Sequence, residues 1–339
     1  MVDVRRAILK AKRAATKLHR DLQMRDRIEE QKGGRVDVFG TILGEKLPLL
    51  FKPLDGLLGV YITLPIPGVM VTTKRPLSVQ RFTGAHELGH YVLGHLPSLD
   101  DESVLRRSPF ATAPDYEQQE LEANAFATEF MLPPWLFATH FKRQGWNGSM
   151  MANPQIVYQL SLRLGASYEA TCRSLIRPGV EVIDHPTLRK LLEVQRREIK
   201  RELLDGFEPE DFYRDVWLLT EKDEGTVIEG SRSDLFVLKL AEHSSAGYVW
   251  SFEELNDTGF AIVRDEREGP GGDTVGGSVT RSITASSEEP QSGRLRLSEK
   301  RPWLEDSLPN GSFTLRYDLQ GPEIDGLSLA ERRRTLEAA

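Results

Sequence analysis

The chain opens on a helical pattern. Between residues 1 and about 32, Ala7, Ile8, Ala11, Ala14, Ala15, Leu18 and Leu22 fall on one face while Arg and Lys crowd the other, which predicts an amphipathic helix. From 35 to 80 the texture changes to short apolar stretches, "VDVFGTI", "LPLLF" and "GVYITL", punctuated by Gly and Pro, and predicts a small sheet. Residues 80–95 and 115–131 return to helical spacing as two helices joined by a polar loop, the second stopped by Pro133 and Pro134. Residues 153–206 continue as helices and end in a charged stretch, 187–204, expected as a solvated connector. Beyond "TEKDEG" (220–225) the period drops to two: "LFVLKL", "GYVWSF", "GFAIV", "GRLRLS" and "SFTLRYDL" are separated by Gly/Ser/Pro-rich turns at the spacing of a β-sandwich. "GPGGDTVGGS" (269–278) reads as a loop and not as a phosphate cradle, because no helical pattern follows its glycines.

The fold class expected is α+β, with the change of texture near 222 as the main boundary. The divisions are 1–140, a catalytic-type domain; 141–221, a helical segment and connector; 222–322, an all-β sandwich; and 323–339, a tail. No internal repeat is present.

Composition narrows the function classes. A net charge of −7 and an isoelectric point near 5.7 exclude a chain that is basic throughout and binds nucleic acid by bulk charge. The single Cys172 can form no internal disulfide and no multi-cysteine metal site, which suits a reducing compartment. No apolar run reaches the roughly 20 residues of a membrane helix, and the basic start lacks a continuous apolar core for secretion; Asp3 and Asp21 interrupt the acid-poor pattern of a transit peptide. The expected location is cytoplasmic, with no membrane partner.

The chemistry concentrates in "RFTGAHELGHYVLGH" (81–95). Each helical residue advances by about 100°, so His86 and His90, four apart, share a face where both imidazoles reach one ion. Glu87 lies on the flank, placed to meet a water and not the ion: two ligands and one general base. His95 sits nine residues from His86 and about 180° around a continuing helix, so it belongs beside the site or at the surface. A metzincin would need Gly at 93 and His at 96, where Leu93 and Leu96 stand. A zinc site still lacks one protein ligand. In "DYEQQELEANAFATEFMLPP" (115–134), Glu120 and Glu122 point about 200° apart, so only one can serve. Glu122 lies at the edge of the apolar stripe Ala123, Phe126, Ala127 and Phe130; Glu120 is the alternative.

"RFTGAHELGH" followed by "ELEANAFATEFMLPP" resembles the ImmA/IrrE family of zinc metallopeptidases, in which a helical H-E-x-x-H precedes an E-A-N-x-F-A helix ending at M-x-P. The resemblance covers about residues 80–135, and the basic N-terminal helix and short sheet suit it. It implies a gluzincin-like fold, zinc (or manganese) on His86 and His90, Glu87 as base, and Glu122, directly before Ala123-Asn124, as third ligand. Tyr91 and Tyr116 are the nearest candidates for an oxyanion donor. It further implies a protein substrate, a helix-turn-helix transcriptional repressor controlling stress-response or mobile-element genes. Residues 155–176, "QIVYQLSLRLGASYEATCRSLI", have the spacing and turn of a helix-turn-helix. Tyr168 and Glu169 open its second helix in place of the basic or amide groups that read DNA, so direct DNA binding is not expected.

A second resemblance lies downstream. "LKLAEHSSAGYVWSF" (238–252), "DTVGGSVTRSI" (273–283) and "SEKRPWLED" (298–306) resemble the three loops of chagasin-like cysteine-peptidase inhibitors, an immunoglobulin-like sandwich whose loops enter a protease cleft. Gly247, Tyr248, Trp250, Gly276, Gly277, Arg301, Pro302 and Trp303 match that pattern as partner-binding residues. Glu242-His243-Ser244-Ser245-Ala246 stands where N-P-T-T would, a departure that weighs against inhibition. Two functions therefore stand: a zinc endopeptidase with a recognition or regulatory sandwich, and a non-catalytic binding protein, either a cysteine-protease inhibitor through the C-terminal loops or a DNA-associated regulator through the middle helices.

Overall fold

The computed structural model describes residues 4–95, 99–101, 118–269, 279–287, 289, 291–304, 308–328 and 330–331. It has mixed helix and sheet content, with a helical N-terminal part around a small sheet and a C-terminal β-sandwich. Among the described residues no helix is long and apolar enough to cross a membrane.

The first helical pattern is two helices, α1 (Val4–Asp21) and α2 (Met24–Glu30). Gln23 stands between them in the left-handed region, φ 48°, and the turn lets Met24 and Ile28 reach the core. "VDVFGTI", expected as a strand, is instead α3 (Val38–Gly44): Asp37 accepts a hydrogen bond from Gly40 N at 3.0 Å, and that cap overrides the β-branched run. Then follow β1 (Leu49–Lys52), β2 (Leu57–Ile62), β3 (Gly68–Thr72), α4 (Leu77–Leu93), β4 (Leu99–Asp101), α5 (Gln118–Met131) and α6 (Pro134–Gln144). β1 and β3 pair in parallel, β2 runs antiparallel to β3, and β4 borders β2. Ala7, Ala11 and Ala15, all buried, present a seam of small side chains along α1, which packs against α5.

The middle helices are α7 (Pro154–Leu164), α8 (Tyr168–Ser174), α9 (His185–Glu193) and α10 (Arg196–Leu204). Asn153 and Ser167 cap α7 and α8. The charged stretch is two helices, α9 and α10, parted where Val194 and Gln195 turn extended. Val157, Leu160, Leu164 and Cys172 share one continuous core with Leu88, Phe126 and Phe130. Tyr168, at the start of the second helix of the pair, is buried and donates its hydroxyl to Leu191 O.

The sandwich contains β5 (Val216–Leu219), β6 (Val227–Glu229), β7 (Leu235–Glu242), β8 (Val249–Ser251), α11 (Glu253–Asp257), β9 (Phe260–Glu268), β10 (Val279–Ser287), β11 (Ser292–Lys300) and β12 (Gly311–Asp318). One sheet has the order β5-β7-β10-β9 and the other β6-β12-β11-β8. Phe236, Leu238, Leu240, Ile283 and Ala285 face Leu295, Leu297, Phe313, Leu315 and Tyr317 at period two. The sandwich is joined to the helical part by chemistry as well as by chain. Arg163 of α7 reaches Asp223 at 2.9 Å with both side chains buried, and β13 (Gly326–Leu327) returns to pair with β1.

Candidate metal centre

His86, Glu87 and His90 stand on α4, and Glu120, Glu122 and Asn124 stand on α5. α4 is buried on all sides through its middle, Thr83 to His90. Two glycines make that possible. A Cβ on Gly59 of β2 would stand 2.9 Å from Glu87 Oε1, so β2 lies directly over that carboxylate. A Cβ on Gly89 would stand 3.0 Å from Phe126 Cδ1 and 3.3 Å from Ala123 Cα, so α5 closes tightly on α4.

His86 and His90 project from adjacent turns, as their spacing predicts, with Nε2 atoms 2.9 Å apart. The carboxylate that joins them is Glu120 and not Glu122: Glu120 Oε2 lies 3.2 Å from His86 Nε2 and Oε1 lies 3.5 Å from His90 Nε2. Three ligands about 2.0 Å from a tetrahedral ion stand about 3.3 Å from one another. The observed separations, 2.9 to 3.5 Å, bracket that value. His86, His90 and Glu120 form the group able to hold a metal ion among the described residues, their donor atoms all within 4.8 Å.

Glu122, two residues on, faces the other way, as the helical angle requires. It accepts from Lys10 Nζ of α1 at 2.5 Å, from Gln118 Nε2 at 2.7 Å and from His95 Nε2 at 3.0 Å. His95 reaches it because α4 ends: Gly94 adopts φ 68° and His95 N bonds back to His90 O at 2.9 Å, turning the chain beside the site. His95 Nδ1 then lies 3.1 Å from His90 Nδ1. On the other ring, His86 Nδ1 lies 3.1 Å from Asn124 Oδ1, one turn beyond Glu120 on the same face.

These outer partners set the protons. The Glu122 carboxylate takes Nε2–H of His95, so His95 Nδ1 is an acceptor and His90 Nδ1–H its donor. With Asn124 Oδ1 accepting, His86 likewise carries its proton on Nδ1. Both inner Nε2 atoms therefore present lone pairs, beside a carboxylate. Electrostatics agree: burial first, then the neighbouring His86, push His90 down to about 3, keeping the ring neutral. Burial also lowers His95, against the hydrogen bond to Glu122. Glu122 is lowered although burial raises it, because its bonds from Gln118, Lys10 and His95 together prevail.

Among the remaining candidates, Tyr91 packs edge-on against Tyr61 with ring centres 6.1 Å apart, and Tyr116 lies outside the described residues. In the sandwich, Gly247 (φ 82°) lies under the Trp303 ring, Arg301 stacks 4.5 Å over Tyr248, and Pro302 and Trp303 are exposed. Trp250 does not join that surface: it is 8 % exposed, in the sandwich core, with Nε1 bonded to Ala241 O at 2.8 Å. Gly276 and Gly277 fall outside the described residues. Asn124, Lys10 and Gln118 are the site residues that sequence reasoning missed; only Asn124 carried a signal, four residues after Glu120.

Fold and site define a metallopeptidase-like domain followed by a β-sandwich. The IrrE N-terminal-like domain family matches residues 52–175, and the chagasin family of peptidase inhibitors matches residues 231–317. Amoebiasin-2 of Entamoeba histolytica is 30 % identical over 105 residues, 30 % of this chain and 84 % of that protein. The cysteine protease inhibitor EhICP2 of Entamoeba histolytica, a solved structure, is 24 % identical over 32 % of this chain and 99 % of its own, at a TM-score of 0.30. The solution structure of Amebosin is 22 % identical over 31 % of this chain and 98 % of its own, at a TM-score of 0.26. The chain belongs to the chagasin family through residues 231–317 and carries an IrrE N-terminal-like domain ahead of it.

Proposed function

We propose that the N-terminal domain is a zinc-dependent endopeptidase acting on a protein substrate, and that the sandwich recognises a partner protein. The carrying observation is the convergence of two neutral imidazoles, each with its lone pair turned inward, on the Glu120 carboxylate. Such a donor set suits zinc, with manganese second. His86, His90 and Glu120 would hold the ion, which when bound supplies Lewis acidity and lowers the pKa of water toward ~7. Glu87, adjacent to His86 and buried under β2, takes the proton of the attacking water and returns it to the leaving amine nitrogen. A protein substrate, and a helix-turn-helix repressor in particular, rests on family resemblance alone.

Glu87→Gln tests this. The variant keeps about one zinc per chain and loses cleavage of an unfolded peptide mixture by about 10²–10⁴-fold. Normal cleavage by that variant removes Glu87 from its role.

A second reading concerns the sandwich: its loops dock into a cysteine peptidase. It is favoured by the chagasin match, by Amoebiasin-2, and by the exposed Trp303 seated on Gly247. Such binding is insensitive to chelators, whereas proteolysis by the first domain is abolished by them.

A further inference from the structure

We propose that His95 and Glu122 are positioning residues for the metal ligand His90, forming a hydrogen-bonded chain that ends on Lys10 at the surface. The inference rests on reading His86, His90 and Glu120 as a metal centre. The chain is continuous and has a direction. Lys10 Nζ and Gln118 Nε2 hold the Glu122 carboxylate from α1 and from its own helix. Glu122 takes the Nε2 proton of His95, and His95 Nδ1 takes the Nδ1 proton of His90. Each link fixes the tautomer of the next, so the last places the His90 lone pair on Nε2, toward His86 and Glu120. Asn124 does the same for His86 in a single step. The two ligands are thus oriented by unequal supports: one amide, and one relay of three residues drawn from α5, the turn after α4, and α1.

This geometry explains both residues. His95 is 9 % exposed and Glu122 is 1 % exposed, a buried pair that a purely apolar packing would replace at no loss. Their placement also makes Gly94 part of the site, since only the left-handed turn there returns His95 to His90. Outer partners of this kind change metal affinity by about 10–100-fold when removed.

The test is competition of the full chain with a chromophoric chelator for Zn²⁺, together with the visible spectrum of the Co²⁺-loaded chain. His95→Leu weakens Zn²⁺ binding by about 10–100-fold and shifts the Co²⁺ bands. His95→Gln, whose amide can accept from His90 and donate to Glu122, recovers most of the loss. Glu122→Ala, which acts from α5, weakens binding in the same direction. Unfolding curves show which variants remain folded; if His95→Leu does not fold, the Gln and Glu122 variants decide. A wild-type chain that takes up no zinc removes the metal reading and this inference with it. A wild-type chain with one zinc, and unchanged affinity in the folded variants, overturns this inference alone. Equal losses in His95→Leu and His95→Gln would reduce His95 to packing and overturn it as well.

Discussion

Two clusters of histidine and carboxylate, one between α4 and α5 and one in the sandwich, are built in opposite ways. In the α4–α5 cluster the rings are buried, and their outer nitrogens are satisfied by Asn124 and His95 so that the inner ones converge with Glu120. In the sandwich the carboxylates are buried and surrounded by donors. Glu299 accepts from His243 N at 2.6 Å, from the His243 ring at 3.1 Å and from Asn310 Nδ2 at 2.7 Å. Glu242 accepts from Arg267 at 2.7 Å, from Trp250 N at 3.1 Å and from Arg281 at 3.3 Å. The first arrangement leaves acceptors facing acceptors, which suits a cation from outside. The second meets acceptors with the protein's own donors, which fixes a loop. The same residue types thus make a group able to hold a cation or a strut, according to where the protons point. Where the resemblance has N-P-T-T, Glu242 bonds within the sandwich core and the half-exposed His243 bonds to the buried Glu299, and together they hold the start of that loop.

The comparison breaks most visibly by removing a strut. Glu242→Ala leaves Trp250 N and the buried side of Arg281 without their partner, while Asp265 still grips Arg281 at 2.5 Å. A loss of about 3 kcal/mol in unfolding free energy is expected, the lower end for a broken buried pair. Zinc affinity stays unchanged. A parallel loss of zinc binding would show that the two clusters are one cooperative unit.

Acid sharpens it next. His140 donates to Gly34 O at 2.6 Å and His19 contacts Phe130 O at 2.9 Å; burial, against those backbone bonds, lowers them to about 3 and about 4. Both rings belong to the helical part and fold neutral, while in the unfolded chain they titrate near 6.5. The unfolded state therefore binds more protons below that pH. Stability from each ring is fully present above about 6.5 and is lost as pH falls toward the folded values, at up to about 1.4 kcal/mol per pH unit. His140→Gln retains a donor for Gly34 O and removes the titration. Unfolding of the metal-free variant between pH 7 and 4.5 should show a shallower slope by up to that amount; an identical slope would mean His140 is already protonated in the fold.

How much of this was legible beforehand follows the range of the interactions. His86, Glu87 and His90 lie within one helix, so their spacing carried their geometry directly. The strands of the sandwich announced themselves by period two. The choice between Glu120 and Glu122 depended on where α1 and α4 sit around α5. Burial on every side of that helix, from Glu120 to Ala127, left its apolar stripe without a unique inward direction. The i, i+4 pair Glu120–Asn124 was the better guide, since both face α4. A continuing helix would carry His95 to the side opposite the site, but Gly94 ends α4 and turns it back. α3 reads as a strand in sequence because it carries four β-prone residues, which a single cap at Asp37 outweighs. β13, two residues long, carries no pattern at all, and only tertiary pairing with β1 makes it a strand.

The smallest effect on the fold is expected at the rim of the sandwich, where the comparison turns from struts to contact. Trp303 is 67 % exposed and rests on Gly247, whose positive φ and lack of Cβ let the indole approach; a Cβ there would stand 2.6 Å from its Cη2. Truncating an exposed side chain away from caps and cores changes stability by about 0.5 kcal/mol or less. An aromatic anchor at the centre of an interface, by contrast, contributes about 2 kcal/mol or more, roughly 30-fold in affinity. Trp303→Ala should therefore unfold like the wild type, retain its zinc, and lose that factor in inhibiting a papain-like peptidase measured by residual peptidase activity. Trp250→Ala should do the reverse and unfold the sandwich, because its indole belongs to the core. If the wild-type chain fails to inhibit at micromolar concentration, or if Trp303→Ala inhibits as well as wild type, the exposed indole is not a peptidase anchor, and the cysteine-peptidase reading of these loops falls while the proposal of a metal site at His86, His90 and Glu120 is untouched.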